Sequence, residues 1–405
     1  MRTLLFCALL LWPASLRAQD DTELIAEPSA SMDDDLKKIR EDMERQTEDY
    51  DQARAEDART FSRAMQAQYD TILKGLAEQD AQVRRLALAQ WTQYHQSTNK
   101  EWVDYSAKGD AMSRVDFEKG EIIIEVLVPM EDVTSGKKKA LGELDRKERE
   151  KLKVLAEKKV AEQAKEVFTK KDEDKAPVLR DQVKAEGGKP VTENTVKEYA
   201  QKTLAPKIVI EDKPVVAKDG KPRLKVKVKV EMVPDHIKVR AKSHQAQVDG
   251  LAKKYGLDPA LVFAIIHTES YFNPKARSPA PAFGLMQLMI QSGAREAYKF
   301  LHDEDKALPP EYLYDPQHNI ELGAAYVHML DRRHFGKVKD AVNRRMLTIS
   351  AYNCGPGCVR RVLAKRDADS LSNAELEAIL MKGLPKETQA YLPHVQGRMD
   401  LYRGL

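Results

Sequence analysis

The stretch FAIIHTESYFNPKARSPAPAFGLMQLM, residues 263–289, joins an apolar run to one carboxylate and then to a loop of Pro, Gly and small residues. If a helix begins at Pro259, then Leu261, Ile265 and Glu269 follow one another at steps of four and share one face. The sequence therefore predicts that Glu269 continues an apolar stripe. A carboxylate at such a position lowers stability unless it is paired or used.

Two interpretations of Glu269 are open at this point. Removal of water favours the neutral carboxyl group and raises its pKa, which suits a general acid. Alternatively, Glu269 is a structural residue near a helix end and pairs with an arginine such as Arg277 or Arg295. Taken alone, the helix favours the structural interpretation.

Residues 236–405 predict an all-helical domain. Short helical segments alternate with Gly- and Pro-containing loops, and the aromatic and apolar content is higher than in the preceding residues. Asp258 is placed to cap the helix described above, with Pro259 at its first position, and Asn273-Pro274 is expected to end it. This pattern is typical of a compact catalytic or binding domain.

Polar and aromatic side chains recur in three motifs of this domain, FGLMQLM, ISAYNCGPG and PKETQAYLPHV. A Gly permits close approach of a ligand, a Gln amide can bind sugar hydroxyl or acetamide groups, and a Tyr-Asn pair precedes a Gly-Pro-Gly break. Each motif alone is compatible with ordinary core or surface positions. The candidate residues in these motifs are Gly284, Met286, Gln287, Tyr352, Asn353 and Tyr391.

Taken in order, these motifs resemble those of family 1 lytic transglycosylases, which share a lysozyme-like helical domain. The resemblance covers roughly residues 240–402, and the ordered set is more specific than any single motif. The matching positions are Glu269-Ser270, Ala276-Arg277-Ser278, Gly284-Leu285-Met286-Gln287, Ala351-Tyr352-Asn353 and Glu387-Thr388 with Tyr391. Pro281, Ile290 and Cys354 depart from the family pattern without removing a functional group.

The resemblance implies a peptidoglycan lytic transglycosylase. Such an enzyme cleaves the β-1,4 bond between N-acetylmuramic acid and N-acetylglucosamine without water and leaves 1,6-anhydromuramic acid ends; no cofactor or metal is expected. By this analogy Glu269 acts first as acid and then as base. Met286 would line the groove, and the residues that would position the glycan or support Glu269 are Ser278, Gln287, Tyr352, Asn353 and Tyr391.

A second carboxylate beside the acid is the usual requirement of a glycosidase. Between Glu269 and Glu296 the sequence has no other Asp or Glu, which suits a one-carboxylate reaction, although Asp315 or Glu387 could fold nearby. A hydrolytic lysozyme-like muramidase and a non-catalytic peptidoglycan-binding scaffold therefore remain as alternatives.

Residues 106–235 predict an α+β domain, so the whole chain is assigned to the α+β class. RVDFEKGEIIIEVLVP, residues 114–129, predicts a hairpin, and Asp219-Gly220 predicts a second hairpin within residues 207–234. Both are expected to belong to one sheet. Residues 136–205 predict charged helix followed by a loop, with Leu141, Leu144, Leu152, Leu155 and Val167 on the buried side. Residues 102–129 and the segment VPDHIKVRAK, residues 233–242, resemble one branch of the same family, so residues 106–235 are expected to be similar to its N-terminal domain.

Residues 19–105 predict long amphipathic helix, either a coiled-coil hairpin or a helix packed on its own protein. The apolar positions recur at three- and four-residue steps: Leu36, Ile39, Met43, Tyr50, Phe61, Met65, Tyr69, Ile72 and Leu76. Self-association or binding of envelope proteins through residues 30–100 is one hypothesis for this region.

The N-terminus, MRTLLFCALLLWPASLRAQDD, predicts a secretory signal over residues 1–18, cut after Ala18. Cys7 lies inside the apolar core after Phe6, which is a poor context for lipoprotein cleavage. A non-lipidated protein in the periplasm of a Gram-negative bacterium is therefore expected, with uncleaved anchoring as the alternative.

After cleavage, Cys354 and Cys358 are the two cysteines that remain. In an exported chain they are a candidate disulfide, although metal binding and free thiols are alternatives. A bond over this spacing would need a turn between the two residues rather than regular helix. The net charge of +3, with 32% charged residues, gives no argument for nucleic-acid binding.

Overall fold

A computed structural model describes residues 30–134 and 139–405 of the 405-residue chain; within α1, side chains are described from residue 37 onward, except residue 39. The predicted signal sequence lies outside the described residues, as do the side chains of Leu36 and Ile39. Residues up to Ala64 form one unit and Met65–Leu405 form another.

The N-terminal helix, α1, runs without a break over Ala30–Gln90. Long helix was predicted here, and of its two alternatives the coiled-coil hairpin is contradicted, because one helix covers the region. In the first unit, Met43 and Tyr50 are about two-thirds exposed, at 64% and 66%. In the second unit, Met65 is buried, and the partly buried side chains of Tyr69, Ile72 and Leu76 pack on the core of the C-terminal helical domain.

An antiparallel sheet follows α1, in the spatial order β1-β2-β3-β6-β4, with β5 also paired to β6. Its strands are β1 Glu101–Tyr105, β2 Ala111–Asp116, β3 Glu121–Pro129, β4 Val209–Ile210, β5 Val215–Val216 and β6 Pro222–Glu231. Both predicted hairpins are confirmed, and β3 pairs with β6 in the register Ile124–Val228 and Val126–Val226. Because β1 lies before residue 106, the predicted boundary of the α+β domain falls after its first strand.

Helices pack on one face of this sheet. They are α2 Met130–Val133, α3 Arg146–Thr169 and α4 Val196–Tyr199, the last continued by a π-helical turn over Ala200–Leu204. Leu152 and Val167 of α3 are buried against the sheet, together with Leu144 before the helix, whereas Leu141 and Leu155 are partly exposed. The predicted loop over residues 176–192 is confirmed as irregular chain with two isolated β-bridges.

The remaining residues form a helical domain with its own core. Its helices are α5 His236–Ser243, α6 Gln245–Tyr255, α7 Pro259–Ser270, α8 Gly293–His302, α9 Pro310–Tyr314, α10 Pro316–Met329 with a π-helical turn over Leu330–His334, α11 Ala341–Cys354, α12 Pro356–Leu363, α13 Asn373–Gly383 and α14 Lys386–Met399. The prediction of an all-helical domain needs one correction, since β7 Ala282–Phe283 and β8 Leu288–Met289 form a small antiparallel hairpin. Over residues 30–134 and 139–405, no helix is both long and apolar enough to cross a membrane.

Candidate active site

The helix α7 brings Glu269 to the floor of a cavity of about 470 Å³. Asp258 caps its first turn by accepting a hydrogen bond from the Ala260 N–H at 2.9 Å, and Pro259 occupies the first helical position, as predicted. The helix ends at Ser270, three residues before the predicted stop. It ends there because Tyr271 adopts the left-handed conformation, with φ of 52°.

The carboxyl group of Glu269 accepts a hydrogen bond from the Tyr391 hydroxyl, with 2.7 Å between Oη and Oε1. Burial raises the pKa of Glu269 to about 8; the Tyr391 hydrogen bond opposes this rise and the nearby charge of Glu387 adds to it. Glu269 is therefore largely protonated at neutral pH. Since Tyr391 donates to Oε1, the acidic proton belongs on Oε2.

The structural interpretation of Glu269, an ion pair with an arginine, is contradicted. Arg277 instead donates two hydrogen bonds to Asp80 of α1, the first of 2.8 Å, and Arg295 pairs with Asp305. Since neither Arg277 nor Arg295 pairs with Glu269, and burial disfavours its charge, the neutral form of its carboxyl group is favoured. The same environment keeps Tyr391 protonated, because burial and the adjacent Glu269 raise its pKa well above its usual value.

The FGLMQLM segment forms the hairpin β7-β8 beside Glu269. Gly284 has φ of +73°, and a Cβ atom there would collide with the Leu313 carbonyl and with Asn319. Asn319 holds the turn by accepting from the Met286 N–H at 2.7 Å and donating to the Phe283 carbonyl at 2.9 Å. Gly284 therefore makes room for a protein neighbour rather than for the ligand suggested by the sequence.

Met286 does not line the cavity, contrary to the sequence-based expectation. Its side chain is fully buried and packs against Gly323 of α10, where no side chain stands in the way. Its backbone is used instead, because the Tyr352 hydroxyl donates to the Met286 carbonyl at 2.8 Å. Gln287 does line the cavity, with φ of 46° and a hydrogen bond of 3.0 Å from Nε2 to the Gly284 carbonyl.

The opposite part of the cavity wall comes from the ends of α11 and α14. Tyr352 and Asn353 both line it, and Asn353 joins the two helices by accepting from the Thr388 hydroxyl at 2.6 Å and donating to Glu387 at 3.4 Å. Ser278, on the loop after α7, also lines the cavity. The structure thus brings Glu269, Ser278, Gln287, Tyr352 and Asn353 to one cavity, with Tyr391 directly behind Glu269.

The chain turns between α11 and α12 at Gly355, whose φ is 83°. The structure joins Cys354 and Cys358 across this break in a disulfide, with 5.8 Å between their Cα atoms. Cys354 lines the cavity next to Asn353. The turn that the sequence required for such a bond is therefore present.

The cavity is also lined by polar residues to which the sequence motifs assigned no role, among them Asn99, Ser292, Glu296 and Tyr326, and by Glu387. Glu387 was named as a carboxylate that could fold nearby, whereas Asp315 caps α10. Asn99 comes from the loop after α1, and no pattern in the sequence indicates that it lies beside a residue 170 positions later. Among the described residues, no group of three or more His, Cys, Asp or Glu side chains is placed to hold a metal ion.

Comparison with known proteins finds a match for part of the helical domain. Residues 247–374 match the family described as the Transglycosylase SLT domain. The resemblance seen in the ordered motifs is thereby confirmed for the SLT domain, which contains Glu269, Gln287 and Tyr352.

Curated proteins are similar to this chain over a longer stretch than the SLT family match. The chain is 36% identical over 191 residues to a protein named membrane-bound lytic murein transglycosylase C from Cronobacter sakazakii, covering 45% of this chain and 52% of that protein. A protein of the same name from Sodalis glossinidius is 39% identical over 34% of this chain and 38% of its own length. The alignments thus span about half of these relatives or less. The likeness of residues 106–235 to the N-terminal domain of murein transglycosylase C stays a prediction.

Solved structures similar to the chain include an inactive mutant of the lytic transglycosylase Slt from Pseudomonas aeruginosa, at 32% identity, with 39% of this chain and 24% of that chain covered and a TM-score of 0.33. The 70 kDa soluble lytic transglycosylase from Escherichia coli is 30% identical, with 38% and 24% covered and a TM-score of 0.31.

Proposed function

We propose that the protein is a peptidoglycan lytic transglycosylase that cleaves the β-1,4 bond between N-acetylmuramic acid and N-acetylglucosamine. The observation that carries the proposal is Glu269, a carboxyl group kept protonated at the floor of a cavity and held by the Tyr391 hydroxyl at 2.7 Å. A protonated carboxylic acid in a cleft is the group that glycosidic bond cleavage requires. The SLT match and the names of the curated relatives support the same activity.

The reaction needs one carboxyl group used twice. Glu269 donates the proton on Oε2 to the glycosidic oxygen, and the bond from that oxygen to C1 of N-acetylmuramic acid breaks. The resulting carboxylate accepts the proton of the sugar's own 6-hydroxyl, whose oxygen forms the new bond to C1. The product is a 1,6-anhydro sugar, water is not consumed, and Glu269 ends in its starting protonation state.

The supporting residues divide by position. Tyr391 orients the carboxyl group, and Tyr352 fixes the Met286 carbonyl. Ser278, Gln287 and Asn353 present polar groups to the cavity and are proposed to bind the glycan. Met286 is proposed to act through its backbone, because its side chain is buried.

Digestion of purified peptidoglycan by the full chain tests this proposal. We expect mass analysis of the released fragments to show muramic acid ends that are lighter by one water than reducing ends. Fragments with reducing ends from the first time point would identify a hydrolase. Intact peptidoglycan after incubation with folded protein would identify a binding scaffold.

One observation favours the hydrolytic alternative, and it is the presence of Glu387 in the same cavity. An inverting hydrolase uses a second carboxylate to activate water. Here Asn353 donates to Glu387 at 3.4 Å. The Glu387→Gln variant separates the two functions, since it would stop a hydrolase that uses Glu387 as base and would leave anhydro products in a transglycosylase.

The proposal includes export to the periplasm of a Gram-negative cell in a non-lipidated form. The curated relatives are named membrane-bound, so the attachment of this chain is a point to measure. We expect the protein in the salt-soluble envelope fraction and no label after growth with a radioactive fatty acid. Acylation of the protein would show lipid anchoring instead.

Two further features belong to the proposal. The disulfide between Cys354 and Cys358 would hold the cavity wall at Asn353, and thiol titration of the unreduced, denatured protein is expected to find neither cysteine free.

Self-association through residues 30–100 is supported by the exposed side chains of Met43 and Tyr50. Sedimentation of the protein with and without residues 30–64 tests it.

A further inference from the structure

We infer that Asn99, from the loop between α1 and β1, is a positioning residue for Glu269. The Asn99 side chain lines the cavity, and its Nδ2 donates a hydrogen bond of 3.0 Å to the main-chain carbonyl of Glu269. This inference rests on the proposed role of Glu269 and extends the active site to a part of the chain outside the SLT match.

The hydrogen bond from Asn99 is important because Glu269 lies in the last turn of α7. The last four carbonyl groups of a helix lack a partner within the helix and must be satisfied from elsewhere. Near the end of α7, the His267 carbonyl accepts from the Tyr271 N–H and the Ser270 carbonyl accepts from the Asn273 N–H. For Glu269 the partner is the Asn99 amide. Asn99 thus caps the helix at the residue that carries the acid.

The turn after Glu269 also depends on the α+β part of the chain. Tyr271 and Phe272 are both left-handed, with φ of 52° and 61°, a conformation that non-glycine residues hold only when their surroundings impose it. The Tyr271 hydroxyl donates to Glu118 at 2.5 Å, and the Tyr271 carbonyl accepts from Arg240 at 3.1 Å. Arg240 in turn donates to the Phe117 carbonyl at 2.8 Å.

The loop that carries Asn99 is itself fixed. The Asn99 carbonyl accepts from the Asn273 amide at 3.3 Å, and the preceding Thr98 carbonyl accepts from the Arg277 N–H at 3.3 Å. The Thr98 hydroxyl accepts from the backbone N–H groups of Lys100 and Glu101, which ties the loop to the start of β1. Asn99 therefore holds a fixed position relative to the sheet, and through it so does the last turn of α7.

Replacement of Asn99 in the full chain tests the inference. We expect Asn99→Ala to lower kcat on soluble glycan strands roughly tenfold, because small errors in the placement of a catalytic group reduce rate steeply. KM should change less than twofold, since the glycan-binding groups stay in place. Asn99→Gln, which keeps the amide donor, should recover part of kcat, whereas the isosteric Asn99→Asp, which cannot donate as a carboxylate, should not.

The matched control is Glu173→Ala. Glu173 also belongs to the α+β part and contacts the same turn through Lys275, at 2.7 Å, yet it does not reach Glu269. This variant should lose a comparable contact while kcat stays within twofold of wild type. A kcat for Asn99→Ala equal to that of the control would overturn the inference, as would an increase in KM that accounts for the whole loss.

The choice of readout keeps this test separate from the test of the reaction itself. Rates are measured as total bond cleavage, so the inference stands or falls independently of whether the product is anhydro or reducing. If Asn99→Ala does not fold, Asn99→Asp carries the test with the same expected loss of kcat. Wild-type kcat in a folded Asn99→Asp variant would then refute the inference.

Discussion

Two parts of the molecule hold Glu269 by two different groups. The helical domain holds the carboxyl group, through the Tyr391 hydroxyl and within a wall that includes Tyr352. The α+β part holds the main chain, through the Asn99 amide. Burial in the helical domain raises the pKa of this carboxyl group, and the Asn99 contact is inferred to set its position. The protonation and the position of Glu269 are therefore open to separate mutation.

The largest effect is expected from Glu269→Gln, which removes the proton donor and keeps the shape. Loss of a general acid–base group lowers rate by about 10²–10⁴-fold or more, so we expect no measurable release of soluble glycan. Binding to sedimented peptidoglycan should persist. The matched control is Glu377→Gln, an exposed position on α13. Near-normal turnover in Glu269→Gln would refute the assignment.

A smaller effect is expected from Tyr391→Phe, which frees the carboxyl group without removing it. We expect kcat to fall roughly 10- to 100-fold, the equivalent of one hydrogen bond to a buried charged or polar group. The pKa of Glu269 should rise further above about 8, because the lost hydrogen bond stabilised its charged form. The alkaline limb of the pH–rate profile should therefore move to higher pH.

The control for Tyr391→Phe is Tyr402→Phe. Tyr402 bonds His267 of the same helix at 2.9 Å but does not contact the carboxyl group. Loss of the Tyr402 hydroxyl should lower the free energy of unfolding and leave the alkaline limb of the pH–rate profile in place. A limb that moves equally in both variants would show that the shift reports general loosening of α7.

Glu269 also makes stability depend on pH, in a direction opposite to that of a salt-bridged carboxylate. Its pKa is about 8 in the folded chain against 4.5 for an unperturbed glutamate. Below pH 4.5 Glu269 is protonated in both the folded and the unfolded state. Between about pH 4.5 and 8 it loses its proton in the unfolded state first, so the free energy of unfolding falls as the pH rises. Glu269→Gln should therefore gain stability relative to wild type across this range, measured by urea unfolding at pH 4.5 and 8. An equal difference at both pH values would contradict the raised pKa.

The smallest effect concerns Asp80 and Arg277, which join α1 to the loop after α7. Both side chains are partly exposed, so we expect a coupling free energy of about 1 kcal/mol from a double-mutant cycle of Asp80→Asn and Arg277→Gln. The kcat of Asp80→Asn should fall less than that of Asn99→Ala. A larger loss would indicate that α1, rather than the Asn99 loop, fixes the turn.

The helical domain was the easier part to predict, for physical reasons. Its sequence signals are local, since Asp258 and Pro259 indicate the start of a helix. The ordered motifs give Tyr391 and Gln287 the same place in the series as in the family they resemble. Met286 and Gly284 were misjudged because a sequence does not show which neighbour occupies the space beside a residue. In these cases the neighbours are Gly323 and Asn319.

The α+β part was predictable as strands and turns but not in its relation to the site. Alternation in β6 and the Asp219-Gly220 turn determine a hairpin locally. Asn99 lies in a short polar loop with no periodicity, and its partner is 170 residues away. The sequence left open whether α1 is one long helix or a hairpin of two, because an apolar repeat does not distinguish them.

The hydrogen bond from the Arg277 N–H to the Thr98 carbonyl makes that amide a natural reporter of motion. An amide held by a distant loop exchanges its proton with solvent only when the loop moves away. The deuterium uptake of Arg277 therefore measures how often residues 98–99 leave the end of α7. It does so in the unmodified protein, without substrate, and at the position where opening would free the end of α7 that carries Glu269.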